Sequence, residues 1–198
     1  MRKILLLILL AIVSINATQA QLFKKKDKTA KQEYAVGTVP VVNNKVAFEQ
    51  VIPAEGLSAA EVESVVREWF SARFVKPTVI GFKEYEPEVP GTLVAKSEEY
   101  IVFRNTFFVL NRARIYYFLT ITPTDGSCKL NMSRITYWWD AEADDGGLKI
   151  NAEECITDDV AINKKGELHR FYGKFRTKTI DLFNMLAGEL TGLLNTNK

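Results

Sequence analysis

A thiol beside an imidazole is the smallest arrangement in this sequence that could perform covalent chemistry, since the chain has one histidine, His169, and two cysteines, Cys128 and Cys155. A nucleophile needs its base within hydrogen-bond reach and a third group to orient that base. Nothing local supplies either. His169 lies in the polar run Glu167-Leu168-His169-Arg170, and Ser127 lies in Gly126-Ser127-Cys128, which is not a nucleophile elbow. One histidine and two distant cysteines also fall short of the four ligands of a structural zinc site. The acidic run Asp140, Glu142, Asp144 and Asp145 before Gly146-Gly147 superficially resembles a calcium loop. Counted from Asp140, however, the glycine and glutamate of that loop are replaced by Asp145 and Asn151, so the run reads as a solvated turn. No catalytic residue, no metal site and no cofactor is assigned.

Recognition chemistry is better represented. Tyr137-Trp138-Trp139 places three consecutive aromatic side chains in a strand. Strand alternation sends Trp138 to one face of a sheet and Tyr137 with Trp139 to the other. At least one large ring therefore lies away from a helix-covered core. There it either stacks on a sugar or protein partner or is covered by the loop-rich segment after Asp140. Cys128 and Cys155 form a second pair open to two readings. A bridge between them would close a loop of about 28 residues, stabilising the fold by about 3.6 kcal/mol in the chain-entropy estimate. Alternatively each is a small buried hydrophobe.

These residues must be held by regular elements, and the sequence punctuates them clearly. Val46, Phe48, Val51 and Ile52 make a short strand closed by Pro53 and Gly56. Ser58-Ala59-Ala60-Glu61 fits a capping box, and Val62, Val65, Val66, Trp69, Phe70 and Phe74 then recur at helical spacing until Pro77. Strands are expected at about Thr78 to Glu86, Thr92 to Phe103, Arg114 to Pro123 and Lys129 to Asp140. Thr124-Asp125-Gly126-Ser127 forms the tightest turn among them. Arg104 to Arg112 fits either a strand extension or a crossing loop. Residues 141–173 are loop-rich, with a short helical turn expected around Ala152 to Thr157. A last amphipathic helix is expected from about Lys178 to Leu194, with Ile180, Phe183, Ala187, Leu190 and Leu194 on one face. The resulting order, β-α-β-β-β-β-α, predicts an α+β domain with an antiparallel sheet of about five strands and two amphipathic helices on one face.

Ahead of this domain the chain carries an address. Arg2 and Lys3, the uncharged run Ile4 to Val13, and Thr18 and Ala20 at a small-residue exit predict a cleavable signal peptide over residues 1–20. The apolar run falls short of the roughly 20 residues that a membrane span needs. No transmembrane segment is expected after cleavage, and no cysteine near the cut could take a lipid. The product would be exported, to the periplasm or beyond the cell. Cleavage removes two of the 26 basic residues and none of the 24 acidic ones, leaving the mature chain formally neutral. Residues 21–44, with Lys24, Lys25, Lys26, Lys28 and Lys31, read as a basic linker, and residues 45–195 as one α+β domain.

The order of elements resembles a family of exported domains of unknown function, abundant in Bacteroidetes, with a fold like that of the TATA-box-binding protein (DUF4468-like). The resemblance is carried by Glu68-Trp69-Phe70 in the first helix, the turn at Asp125-Gly126, Ala152-Glu153-Glu154, and Gly173-Lys174-Phe175-Arg176 leading into Thr179-Ile180-Asp181. Gly126-Ser127-Cys128-Lys129-Leu130 departs from the family's lysine-rich turn. The resemblance implies a TBP-like α+β fold and an envelope or extracellular setting, and it supplies no catalytic residues. Despite the fold name, nucleic acid is not expected, because a phosphate-binding surface needs an excess of cations that the neutral mature chain lacks. The reading that follows is a noncatalytic envelope protein binding a protein or glycan partner through a sheet face; the alternative is a hydrolase acting on an envelope polymer. Expression with a working secretion pathway is expected to yield a mature N-terminus at Gln21, checked by intact mass; exported protein retaining residues 1–20 would refute the processing.

Overall fold

The computed structural model describes residues 30–107 and 109–196, so the stretch expected to be a signal peptide and the first part of the basic segment lie outside the described residues. Seven strands form one antiparallel sheet: β1 (Val41–Val42), β2 (Lys45–Pro53), β3 (Val79–Tyr85), β4 (Leu93–Thr106), β5 (Val109–Thr124), β6 (Ser127–Trp139) and β7 (Leu148–Asn151). Their spatial order is β1-β2-β6-β5-β4-β3, and β7 also pairs with β6. The helices are α1 (Ala59–Arg73), the single turn α2 (Asp158–Ala161) and α3 (Tyr172–Thr196).

The expected class and the expected meander are present, with two strands more than the five anticipated. One of these is the two-residue β1. The other, β7, continues the edge that β2 begins: β2 pairs with Ser127 to Ser133 of β6, and β7 with Thr136 to Trp139. The ambiguous stretch Arg104 to Arg112 extends both strands, with Thr106 paired to Val109. In the loop-rich segment, Ala152–Glu154 forms a 3₁₀ turn ahead of α2.

α1 starts where its capping box predicts. The Glu61 amide donates to Ser58 Oγ, and the Ser58 amide donates to Glu61 Oε2. The β5–β6 turn adds a second cap, Asp125 Oδ1 accepting from the Ala59 amide at 2.8 Å. Gly126 (φ 75°) shapes that turn and exchanges backbone bonds with Ala54 and Leu57, so the hairpin and the helix start fix one another.

Both long helices cover one face. That face carries Leu93, Ala95 and Ile101 of β4, Ile115, Leu119 and Ile121 of β5, and Cys128, Leu130, Met132 and Tyr137 of β6, all buried. Phe183 of α3 packs on Phe48, and Thr179 hydrogen-bonds Tyr137 at 2.7 Å. Leu182 and Leu186 widen the buried stripe of α3, whereas Met185 is exposed.

Under α1 lies a buried ion pair. Arg73 Nη2 donates to Glu99 Oε2 of β4 at 2.8 Å, with side-chain exposures of 2% and 3%. The Tyr117 hydroxyl donates to the other Glu99 oxygen. Burial, followed by the Glu99 charge, raises the Tyr117 phenol well above its ordinary pKa and keeps it a donor. Glu189 of α3 accepts from Trp69 Nε1 at 3.1 Å and from Lys76 Nζ at 2.7 Å, tying the two helices together beside this pair.

The described part of the segment read as linker, residues 30–44, meets the domain at Tyr34, Ala35 and Thr38, which are held by Arg176, a fully buried residue of α3. Its guanidinium donates to the carbonyls of Tyr34 (2.9 Å), Ala35 and Ile156 (2.7 Å) and pairs with Asp158 at 2.8 Å. Those carbonyls lie more than a hundred residues from Arg176 in sequence, or on the far side of α2, so local composition does not announce them. The lengthened start of α3, at Tyr172 rather than Lys178, belongs to the same junction, because it carries Phe175 and Arg176 into the core.

Removing one partner of a buried ion pair strands the other charge, at a typical cost of about 3–5 kcal/mol. Arg73→Ala is therefore expected to lose about that much stability in urea unfolding, whereas Arg73→Met with Glu99→Leu should recover most of it. A loss below about 1 kcal/mol for Arg73→Ala would show that the pair is not buried as described.

Candidate functional site

Strand alternation that buries one face leaves the other to solvent, and here that second face has a distinct chemistry. It carries Tyr100, Tyr116, Phe118 and Trp138, interleaved with basic residues. The strand register arranges these side chains in rows across the sheet. One row runs Tyr100, Arg114, Trp138, Lys149 over β4, β5, β6 and β7. The next, two residues along, is Glu98, Tyr116, Thr136, Asn151. A third begins with Lys83 opposite Lys96 and continues to Phe118. Like charges directly opposite on neighbouring strands are unfavourable, so the Lys83–Lys96 pair is not there for sheet stability.

Cations sit against the rings. The Arg112 guanidinium lies 3.7 Å from the Tyr100 ring centroid, Lys149 Nζ 4.4 Å and Arg114 5.2 Å from that of Trp138, Arg134 5.2 Å from Phe118, and Lys96 5.7 Å from Tyr116. The rings act as pedestals that hold long basic side chains over the sheet. The acids on these strands are already engaged: Glu98 pairs with Arg114 and Glu49 with Lys129. Among the described residues Lys83, Lys96, Arg134 and Lys149 have no ion-pair partner. Glu86 and Glu88, in the β3–β4 connection, border the lower end of the face. Burial and then the Glu98 carboxylate raise the Tyr116 phenol above its ordinary pKa, so it stays neutral.

The centre of this face is a groove of about 620 Å³, floored by Tyr116, Phe118 and Trp138 and flanked by Lys96, Arg134 and Lys149. No carboxylate lines it. Arg134 is placed by a bulge, since β6 spends one more residue than β5 between Thr136 and Ser133. Its φ of 51° is left-handed, a conformation that costs a non-glycine residue on the order of 1 kcal/mol or more. Bulges re-aim side chains, and this one turns the guanidinium over Phe118.

The aromatic triplet divides as alternation requires. Tyr137 is buried beneath α3, Trp139 packs edge-on against Phe171, and Trp138 faces the open side. Trp138 is half-buried, and its Nε1 donates to Gly146 O at 2.7 Å. Loop 140–147 therefore covers its edge. Gly147 permits that closure, because a Cβ there would lie 2.2 Å from Asp140 O. With two cations against its ring, Trp138 is less a bare stacking platform for sugar than a support for charge.

The residues first weighed for catalysis have other employment. His169 is exposed and caps α3, its Nδ1 accepting from the amides of Phe171 at 3.3 Å and Tyr172 at 3.4 Å. Asp145 Oδ1 accepts from the Gly147 amide, and Glu142 reaches Arg112 at 3.7 Å, so the acidic run organises its own loop. Both cysteines are buried free thiols. Cys128 opens β6, whereas the turn bearing Cys155 is anchored where Glu153 Oε1 accepts from the Val46 amide, beside the Ala47–Ser133 pair. Of the two readings weighed from the sequence, the structure shows each cysteine as a separate buried thiol. Sequence reasoning missed the basic rows, because they emerge only from the register of several strands.

Comparison with known proteins follows the same lines. The model of the family described as "Domain of unknown function (DUF4468) with TBP-like fold" matches residues 48–138. A crystal structure of a DUF4468 family protein from Bacteroides ovatus ATCC 8483 is 30% identical, with a TM-score of 0.74 over 86% of this chain and 96% of that one. A TBP-like protein from Parabacteroides distasonis ATCC 8503 is 20% identical, with a TM-score of 0.64 over 79% of this chain and 97% of that one, a likeness of fold alone. No curated protein matches.

Burial pushes the thiols of Cys128 and Cys155 up to about 12 each, which leaves them protonated and unreactive near neutral pH. Thiol titration of the unreduced protein should find none reactive in the folded state and two after unfolding. Zero thiols after unfolding would mean that the cysteines pair.

Proposed function

The chain belongs to the DUF4468 family of TBP-like domains, and we propose that it is a noncatalytic binding module, exported to the cell envelope, that docks a partner on its open sheet face. The carrying observation is the segregation of charge. A mature chain of balanced composition gathers Lys83, Lys96, Arg112, Arg114, Arg134 and Lys149 on one face, where the strands turn outward only Glu98 and Glu49 and the bordering loops add Glu86, Glu88 and Glu142. Segregated charge of one sign steers a partner of the opposite sign and sets its orientation. The partner is therefore acidic.

The basic character of the face also revises the argument from net charge, which averages over surfaces that a partner never meets. A hydrolase acting on a polymer by the common glycosidase route needs two carboxylates across the scissile bond, and the central groove carries none. The groove supports retention rather than cleavage. An exported setting is consistent with the signal sequence over residues 1–20. Among the described residues, no helix is long and apolar enough to cross a membrane.

The test is retention of the purified mature protein on isolated cell envelopes of the source organism. Lys96→Glu with Lys149→Glu should keep the circular dichroism of the parent and abolish salt-sensitive retention. Equal retention of parent and variant would overturn the assignment of the open face.

A further inference from the structure

Resting on the assignment of the open face as the docking surface, we infer that its central groove binds an acidic glycan, one charged sugar unit at a time. The volume, about 620 Å³, falls in the range of small-ligand pockets and suits a sugar ring with its substituents rather than a flat protein epitope. Three cations, Lys96, Arg134 and Lys149, come from three different strands and converge on it without an acid among the lining residues. Thr136 and Asn151, also in the lining, add neutral hydrogen-bonding groups suited to hydroxyls. The site thus offers charge to a carboxylate or sulfate and amide and hydroxyl groups to the rest of a sugar.

Two other acidic polymers fit less well. Single-stranded nucleic acid is held on a sheet by bases stacking on open aromatic faces. Here the rings of Tyr100, Tyr116, Phe118 and Trp138 already carry their own cations. An acidic protein would need an apolar, charge-poor centre to its interface, whereas the centre of this face is the most basic part of it. Basic residues continue beyond the groove in two directions, across the strands to Lys83 on β3 and along β5 to Arg114 and Arg112. That layout suits an extended polyanion whose neighbouring units follow these cations over the sheet.

Arg134 is the most informative position, because its left-handed backbone is a conformation that glycine adopts freely. Arg134→Gly removes the guanidinium while relieving the backbone, so lost binding cannot be blamed on lost folding. The mature protein is titrated calorimetrically with polygalacturonate oligosaccharides, heparin oligosaccharides, neutral maltooligosaccharides, oligo-dT and poly-glutamate. Binding is expected for at least one of the two acidic glycans, not for the neutral one, with the carboxylated and sulfated arms reporting which anion is preferred. Arg134→Gly and Lys149→Ala should each weaken it by about tenfold or more, and Arg134→Lys by less. Equal or tighter binding of oligo-dT or poly-glutamate, or glycan binding untouched by the groove variants, would overturn the inference. So would an absence of glycan binding: if the charge-reversed variant still loses envelope retention, the docking face stands and only its ligand is wrong. If retention is unaffected as well, both fall.

Discussion

The period-two alternation of β4, β5 and β6 is the constraint from which the rest of the structure follows. Every second residue from Leu93 to Ile101, from Ala113 to Pro123 and from Cys128 to Met132 points into the helix-covered core. A slip of one residue in any of these strands would bury the cations and expose the core set. The register is accordingly held at its ends. The Asp125-Gly126 turn is bonded to the start of α1, and the Arg73–Glu99–Tyr117 cluster joins α1 to β4 and β5 at diagonal positions, Glu99 lying opposite Ile115 and Tyr117 opposite Ser97. A buried ion pair of this kind contributes little net stability over an apolar substitute. Its role here is to penalise misregister, because any shift strands a charge.

That division of labour explains how a surface with opposed lysines and a strained arginine is tolerated. The helix-covered face supplies the stability, with aromatic contacts such as the Phe74–Phe82 stack at 4.2 Å and an apolar seam along α3. The open face then carries unfavourable features such as Lys83 against Lys96 and the left-handed Arg134. Such conflicts between local preference and fold are expected where function resides. Rings beneath the cations limit their freedom before a ligand arrives, which lowers the ordering cost of binding.

Much of the scaffold was legible in the sequence. Ser58 and Glu61 marked the start of α1, Asp125-Gly126 marked the best hairpin, and alternation assigned Trp138 to the face opposite Tyr137 and Trp139. What could not be read depends on distant partners. β7 is four residues long, too short to show a period, and exists because β6 outruns β2. Residues 30–44 look like a linker until Arg176 gathers their carbonyls. The groove is assembled from Lys96, Arg134 and Lys149, which are scattered through the sequence and meet only through strand pairing and one bulge. Summed charge concealed it, since cations on one face were cancelled by acids elsewhere.

The central claim is that an acidic glycan occupies the open face. The most direct measurement is a two-dimensional NMR titration of the isotopically labelled mature protein with an acidic oligosaccharide, following the Trp138 indole and the side chains of Lys96, Arg134 and Lys149. The account predicts saturable shifts concentrated on those groups and on Tyr116 and Phe118, with α1 and α3 unchanged. Shifts confined to the helices or to the β2 and β3 edges, or none at any glycan concentration, would contradict it.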